Sequence, residues 1–167
     1  MEFVFDEYNM RTLPPRQRLD KVIQVLKNGN ERDESIRWDC ILLAGEITEA
    51  VSKDDPISTE IADLMVWVLN NDDNGIVRHE AAFQIGLHNM RAKIPDLINS
   101  ILNDRSDLVK HEAIEALGLL RDHGSKETLT TMMLEDKSEA VSETAAFVLK
   151  RLERLKDRGE YKGEAIL

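Results

Sequence analysis

The chain has 167 residues, a formal net charge of −10 and 42% hydrophobic residues, which is enough apolar material for a folded core. The negative charge argues against nucleic acid or an anionic membrane surface as the main partner. The single cysteine, Cys40, excludes an intrachain disulfide and a zinc site built on several cysteines. The N-terminus lacks the basic residues of a signal peptide, and no apolar run approaches about 18 residues, so we expect a cytoplasmic location.

The spacing of apolar residues predicts eight helices that form four antiparallel pairs, with no stretch typical of strands. Asn74 is expected to cap the fourth helix, and Met65, Trp67 and Val68 are expected in the core of the third. In chain order the predicted helices cover residues 15–27, 33–51, 56–69, 74–86, 91–102, 107–120, 126–134 and 139–155.

One sequence motif recurs in the second helix of each pair. Residues 77–80 read Val-Arg-His-Glu and residues 109–112 read Val-Lys-His-Glu, 32 residues later, and glycine follows at Gly86 and Gly118. Residues 36–39 and 141–144 occupy the same register in the first and last pairs. Such a period is typical of helical repeat proteins, and small or apolar residues share registers: Ala82, Ile114 and Ala146 in one, Ile85, Leu117 and Leu149 in another.

The predicted fold class is therefore all-α, an α-solenoid of about four HEAT-like helical pairs. The predicted domain organisation is an N-terminal arm over residues 1–14, the repeat domain over 15–157 and a C-terminal tail over 158–167. In the arm, Phe3, Phe5 and Tyr8 lie between acidic residues. The arm could fold over the end of the stack, extend to a partner subunit or remain disordered.

Packing explains the small and apolar positions of the motif, but it gives no reason to repeat an imidazole beside a carboxylate. Adjacent packed helices lie about 8–10 Å apart, so His79 and His111 could converge on one metal ion. Glu80 and Glu112, rotated by about 100° on their helices, could reach a second ion or a second chain. Mixed imidazole and carboxylate ligands suit non-haem iron or manganese. A structural role is the alternative, because glutamate is favoured in a first helical turn. For His88 and His123, outside the register, we expect a structural role.

The chain resembles deoxyhypusine hydroxylases, which are HEAT-repeat di-iron enzymes. The resemblance covers residues 36–155 and includes the order of its motifs: VRHEAAFQIG, then IPDLINSILND, then VKHEAIEALGLL, then VSET at 141–144 and the basic run KRLERL at 150–155. The family enzyme has two such lobes and four His-Glu motifs, whereas this chain has one lobe and two motifs.

The resemblance implies a homodimer in which His79, Glu80, His111 and Glu112 of each subunit surround two irons. Each iron would take two histidines from one subunit and a carboxylate, Glu80, from the other. The implied activity is O₂-dependent hydroxylation of the cationic deoxyhypusine side chain of translation factor 5A. Glu115 and Asp107, acidic residues near the His-Glu register, could receive that cation, or could be ordinary solvated residues.

Three other functions are consistent with the sequence. The chain could be a non-enzymatic HEAT scaffold that binds a protein along its concave face, since fold alone does not define function. It could also use a di-iron centre on a different cationic substrate or handle oxygen in another way. Finally, the HEAT-like subunits that attach bilins to phycobiliproteins share the V-R-x-x-A-A-x-x-x-G skeleton, although that skeleton does not call for the His-Glu pairs.

Overall fold

A computed structural model of the chain describes residues 5–159. Over this range the secondary structure is helical and contains no strand, which confirms the predicted all-α class. The α-helices are α1 (Glu7–Thr12), α2 (Pro15–Lys27), α3 (Glu34–Ala50), α4 (Pro56–Asn71), α5 (Gly75–Leu87), α6 (Ile94–Asn103), α7 (Asp107–Leu119), α8 (Lys126–Glu135) and α9 (Glu139–Arg154). Short 3₁₀ helices, Arg91–Lys93 and His123–Ser125, precede α6 and α8. The eight predicted helices are α2 to α9.

The chain divides into two compact units, a first unit of Met1–Gln84 and a second unit of Ile85–Leu167. No helix in the described range is long and apolar enough to cross a membrane. The predicted tail lies outside the described residues from residue 160 onward, and so does Phe3 of the predicted arm.

In the first unit, part of the predicted arm is a helix packed against α3. Asp6 caps α1 by accepting the backbone N–H of Tyr8 at 2.9 Å, a role for which aspartate is strongly preferred. Met10 is buried, and Arg11 forms a 2.9 Å ion pair with Glu46 of α3. A six-residue helix is too short to be stable in isolation, so α1 depends on these contacts.

The core of α4 in the first unit is only partly as predicted. Met65 and Val68 are fully buried, but Trp67 is half-buried. Trp67 lines an open cleft of about 720 Å³, and Lys27 Nζ lies 5.4 Å from the centre of its ring, within the range of a cation–π contact. Trp67 was therefore wrongly predicted as core, because its helical spacing does not distinguish an edge position from a central one. Cys40 is fully buried, and burial raises the pKa of its thiol to about 12.

The same turn precedes α5, α7 and α9. Asp72, Asp104 and Asp136, spaced 32 residues apart, each accept the backbone N–H of the residue two positions later, at 2.9, 2.8 and 2.9 Å. Aspartate commonly supports such turns. Asn74 then caps α5 as predicted, accepting the backbone N–H groups of Ile76 and Val77 at 2.8 and 3.3 Å.

Asp72 and Asp136 also form ion pairs with the basic residue of the repeated motif. In the first unit, Arg37 donates to both carboxylate oxygens of Asp72, at 2.8 and 3.1 Å. In the second unit, Lys110 donates to Asp136 at 3.1 Å. Burial acts to raise the pKa of Asp136, but the hydrogen bonds from the Ser138 backbone and Lys110 lower that pKa below its usual value.

In the second unit, α7 packs against α6 and α9, and α8 packs against α9. A Cβ atom at Gly86 would lie 2.9 Å from Cα and Cβ of Ala116, so this glycine permits close approach of the α7 backbone. A Cβ atom at Gly118 would meet the methyl groups of Val148 at 3.1 and 3.2 Å. Ile85, Ile114 and Leu117 are fully buried, whereas Ala146 and Leu149 of α9 are half-buried. Within the described residues no further helical pair follows α9.

Candidate metal centre

The second His-Glu pair lies on α7, whose buried face fixes its orientation. Val109, Ala113 and Ala116 are fully buried in the second unit, and helical geometry then places the remaining side chains of the helix. Glu112 is only 6% exposed, whereas His111 and Glu115 lie at the edge of the buried face and are 34% and 42% exposed. The pair therefore combines one buried carboxylate with an imidazole that solvent can reach.

His111, Glu112 and Glu115 form a group of possible metal ligands. One ligand atom from each of the three lies within 4.8 Å of the other two. His111 Nε2 lies 3.6 Å from Glu115 Oε1, one helical turn further along α7. An imidazole nitrogen with two carboxylates is a ligand set suited to non-haem iron or manganese. Glu115, which the sequence predicted as a substrate contact, thus also lies among the candidate ligands.

The other nitrogen of His111 is bound by a residue of α9. His111 Nδ1 lies 2.7 Å from the hydroxyl oxygen of Thr144, and this hydroxyl donates to the Ala140 carbonyl oxygen at 2.6 Å. Thr144 is buried and follows Glu112 by 32 residues, so it occupies the glutamate position of the last repeat. Sequence reasoning noted VSET at 141–144 as part of the resemblance but gave Thr144 no role.

The first His-Glu pair lies on α5 in the first unit. Glu80 is 6% exposed and accepts a hydrogen bond from Gln84 Nε2 at 2.8 Å, one turn further along the helix. Gln84 is itself buried. His79 is half-buried. The assignment of His79, Glu80, His111 and Glu112 as metal ligands stays a prediction.

The remaining candidates do not belong to the ligand group of α7 found among the described residues. Asp107, predicted as a weak substrate contact, is the first residue of α7 and is exposed. His88 and His123 are half-buried, and neither belongs to a group of three possible metal ligands within residues 5–159. His123 Nε2 is buried without a hydrogen-bond partner.

Comparisons with known proteins agree with the predicted fold. A family model described as HEAT repeats matches residues 62–150. The chain is also similar to a solved structure of human deoxyhypusine hydroxylase in complex with glycerol, with a TM-score of 0.72 and 22% sequence identity. No curated protein matches the sequence.

The similarity to the hydroxylase covers 95% of this chain and 51% of the solved chain, so this chain spans about half of that enzyme's length. These findings confirm an α-solenoid of HEAT-like helical pairs and the predicted resemblance to a single lobe. At 22% identity the likeness concerns the fold, and fold alone does not establish an activity.

Proposed function

Because the chain belongs to the HEAT repeat family and shares its fold with a deoxyhypusine hydroxylase, we propose that it is an iron-dependent hydroxylase of the same type. The observation that carries the proposal is the group of His111, Glu112 and Glu115 within the second unit. HEAT repeats need no imidazole close to two carboxylates for packing. We therefore interpret this group as the metal-binding part of an active site.

The residues present fit iron by the chemistry of their donor atoms. His111 would bind through Nε2, since Nδ1 is engaged by Thr144, and Glu112 would contribute a carboxylate from a buried position. By the resemblance, His79 and Glu80 are ligands as well, for two irons per dimer. The bound iron would supply oxygen activation, the chemistry needed to hydroxylate an unactivated carbon atom.

The chain's own carboxylates would receive a cationic substrate side chain of the deoxyhypusine type. A net charge of −10 favours the approach of a cation. Glu115 is 42% exposed beside His111, and Asp107 is exposed at the start of the same helix. As part of this proposal, the substrate is a modified translation factor 5A and the location is cytoplasmic.

The two roles open to Glu115 can be separated by substituting glutamine for it. If Glu115 is a metal ligand, Glu115→Gln lowers metal affinity in the absence of substrate. If Glu115 pairs with the substrate cation, Glu115→Gln leaves metal affinity unchanged and raises KM, since it removes a binding interaction present before the reaction.

A homodimer completes the proposed site. The chain corresponds to about half of the solved hydroxylase, and symmetric dimers are the commonest oligomers. Two copies would then supply four His-Glu pairs. Light scattering coupled to size-exclusion chromatography measures the mass of the particle in solution. A mass of one chain in the iron-loaded protein would contradict this part of the proposal.

The activity itself is tested with iron-loaded protein, oxygen, a reductant and translation factor 5A that carries deoxyhypusine. The proposal predicts that the substrate gains the mass of one oxygen atom, and that His111→Ala or removal of oxygen abolishes this gain. An unchanged substrate mass with protein that has bound iron would contradict the proposed substrate. Other cationic side chains would then be tested with the same protein.

A second candidate function is supported by apolar side chains exposed on the second unit. Leu134 is 72% exposed and Phe147 is 61% exposed, and phenylalanine is among the residues enriched at protein–protein interfaces. A non-enzymatic HEAT scaffold would bind a protein partner through such residues. His111→Ala distinguishes the two functions, because it would leave binding by a scaffold intact.

A further inference from the structure

We propose that Thr144 is a positioning residue that holds His111 in the tautomer with the proton on Nδ1, so that the Nε2 lone pair faces Glu115. Its consequence for metal binding rests on the proposed function. The tautomer itself follows from the described contacts. The inference gives a role to the VSET motif, which the sequence analysis left without one.

The single proton of the Thr144 hydroxyl group determines the tautomer of His111. A threonine hydroxyl can donate one hydrogen bond and accept others. The hydroxyl of Thr144 donates its proton to the Ala140 carbonyl oxygen at 2.6 Å. It must therefore act as acceptor toward His111, whose Nδ1 lies 2.7 Å away. In neutral imidazole only a protonated nitrogen can donate, so the proton lies on Nδ1.

The opposite tautomer forms fewer hydrogen bonds in the same geometry. With the proton on Nε2, the Thr144 hydroxyl would have to turn from Ala140 and donate to Nδ1. The Nε2–H group would then face Glu115 Oε1 at 3.6 Å, a distance at which no hydrogen bond forms. The Nδ1–H tautomer keeps two short hydrogen bonds, and the alternative keeps one.

This arrangement prepares His111 for a cation. The Nε2 lone pair lies 3.6 Å from Glu115 Oε1 and repels this negative charge until a positive ion lies between them. Histidines that bind metals generally donate their second nitrogen to an oxygen acceptor, which fixes both tautomer and ring orientation. Here the acceptor comes from the following repeat, and it occupies the position that a glutamate occupies on α7.

The tautomer can be read from long-range ¹H–¹⁵N NMR spectra of the metal-free protein in mildly alkaline buffer, where neutral imidazole is observed. The chain has four histidines, and the signals absent from His111→Gln identify His111. We expect the Nδ1–H pattern in the wild type and in Thr144→Ser, and its loss in Thr144→Val. An Nε2–H pattern in the wild type, or an unchanged pattern in Thr144→Val, would overturn the inference.

A matched control is available on α8. The hydroxyl of Thr130 donates to the Lys126 carbonyl oxygen at 2.7 Å, as Thr144 does to Ala140, but it has no histidine partner. Thr130→Val should leave the His111 spectrum unchanged. It therefore separates the loss of a helical hydroxyl from the loss of the His111 contact.

Titration with Co²⁺ as a spectroscopic probe measures the consequence for metal binding. Thr144→Val should lower metal affinity by about 10- to 100-fold, as expected for removal of a partner that orients a ligand, and Thr144→Ser should restore it. If the wild type shows the Nδ1–H tautomer but binds no metal, the proposed function fails and the assignment of Thr144 stands. If metal binds equally well to Thr144→Val, the positioning role is wrong even when the hydroxylase proposal holds.

Discussion

The two His-Glu pairs lie in the same repeated sequence motif, but the residues around them differ. In the first unit, Glu80 accepts a hydrogen bond from Gln84. In the second unit, Glu115 follows His111 by four residues, and His111 Nε2 lies 3.6 Å from Glu115 Oε1. Glu80 is thus bound by a residue of its own helix, and His111 and Glu112 form a group of possible ligands with Glu115.

The difference shows that a repeated motif does not by itself specify a site. Residues one helical turn away decide what the motif faces. The residue four positions after His79 is Phe83, whereas the residue four positions after His111 is Glu115. The residue that contacts His111 Nδ1, Thr144, lies in the last repeat. Substitutions that treat the two units differently therefore test this interpretation.

The largest expected effect concerns metal affinity. His111→Ala should lower affinity for Co²⁺ or Fe²⁺ by more than about 100-fold, because loss of a ligand costs more than loss of an outer partner, which costs about 10- to 100-fold. Anaerobic titration measures this change. His123→Ala, a half-buried histidine of the same unit outside the ligand group, is the control and should bind as the wild type does. Equal affinities for both variants would refute the site on α7.

The second prediction concerns how much the ion pair in each unit contributes to the free energy of unfolding. Arg37→Met should lower the free energy of unfolding by about 3 kcal/mol, because it leaves Asp72, whose side chain is 6% exposed, without its partner. Lys110→Met should cost about 1–2 kcal/mol, since the lysine forms one hydrogen bond with Asp136.

Both tryptophans, Trp38 and Trp67, lie in the first unit. Tryptophan fluorescence therefore reports unfolding of the first unit, and circular dichroism reports both units. In denaturant, Arg37→Met should shift the fluorescence transition of the first unit, and its total loss of stability measured by circular dichroism should exceed that of Lys110→Met. The reverse order would show that the lysine pair is the stronger one.

The glycines that follow the two His-Glu motifs should also differ in how substitution by alanine changes stability. Gly86→Ala forces a Cβ atom against the backbone of Ala116 and should cost about 1–2 kcal/mol, as overpacking outweighs the gain in helix propensity of about 1 kcal/mol. Gly118→Ala meets only methyl groups of Val148 and should change stability by about 0.5 kcal/mol or less. Circular dichroism during denaturation measures both. Equal losses would mean that the two contacts are equally tight.

A further effect on stability depends on pH. Because the pKa of Asp136 is lowered in the folded state, its contribution is fully present above the unfolded value of about 3.9 and is lost as pH falls through the folded pKa. Asp136→Asn should therefore be less stable than the wild type by about 1 kcal/mol at neutral pH. Measured by denaturation over a pH series, the free energies of unfolding of the wild type and Asp136→Asn should converge in acid. A difference that does not change with pH would show that the charge of Asp136 is not its cause.

Periodicity predicted most of the fold, because apolar residues at helical spacing and the 32-residue repeat are local signals. The starts of α2 to α9 were predicted to within a few residues, and Asn74 was identified as a cap. The helix α1 was missed, since its six residues are stabilised by contacts with α3 that no local pattern shows.

The candidate site was predicted less completely. His111 and Glu112 were identified from the motif, but Thr144 lies 33 residues from the histidine that it contacts. The spacing of Asp72, Asp104 and Asp136 could have revealed the repeated turn. The contact between Thr144 and His111 depends on how α9 packs on α7, which the sequence does not state.

The central claim is that the chain binds iron through the His-Glu pairs. Elemental analysis of the folded wild type after anaerobic reconstitution with Fe²⁺, followed by removal of unbound metal, tests it most directly. The account predicts about one iron per chain, or two per symmetric dimer, and far less in His111→Ala. Folded wild-type protein that retains no iron would contradict the claim and would favour the HEAT scaffold.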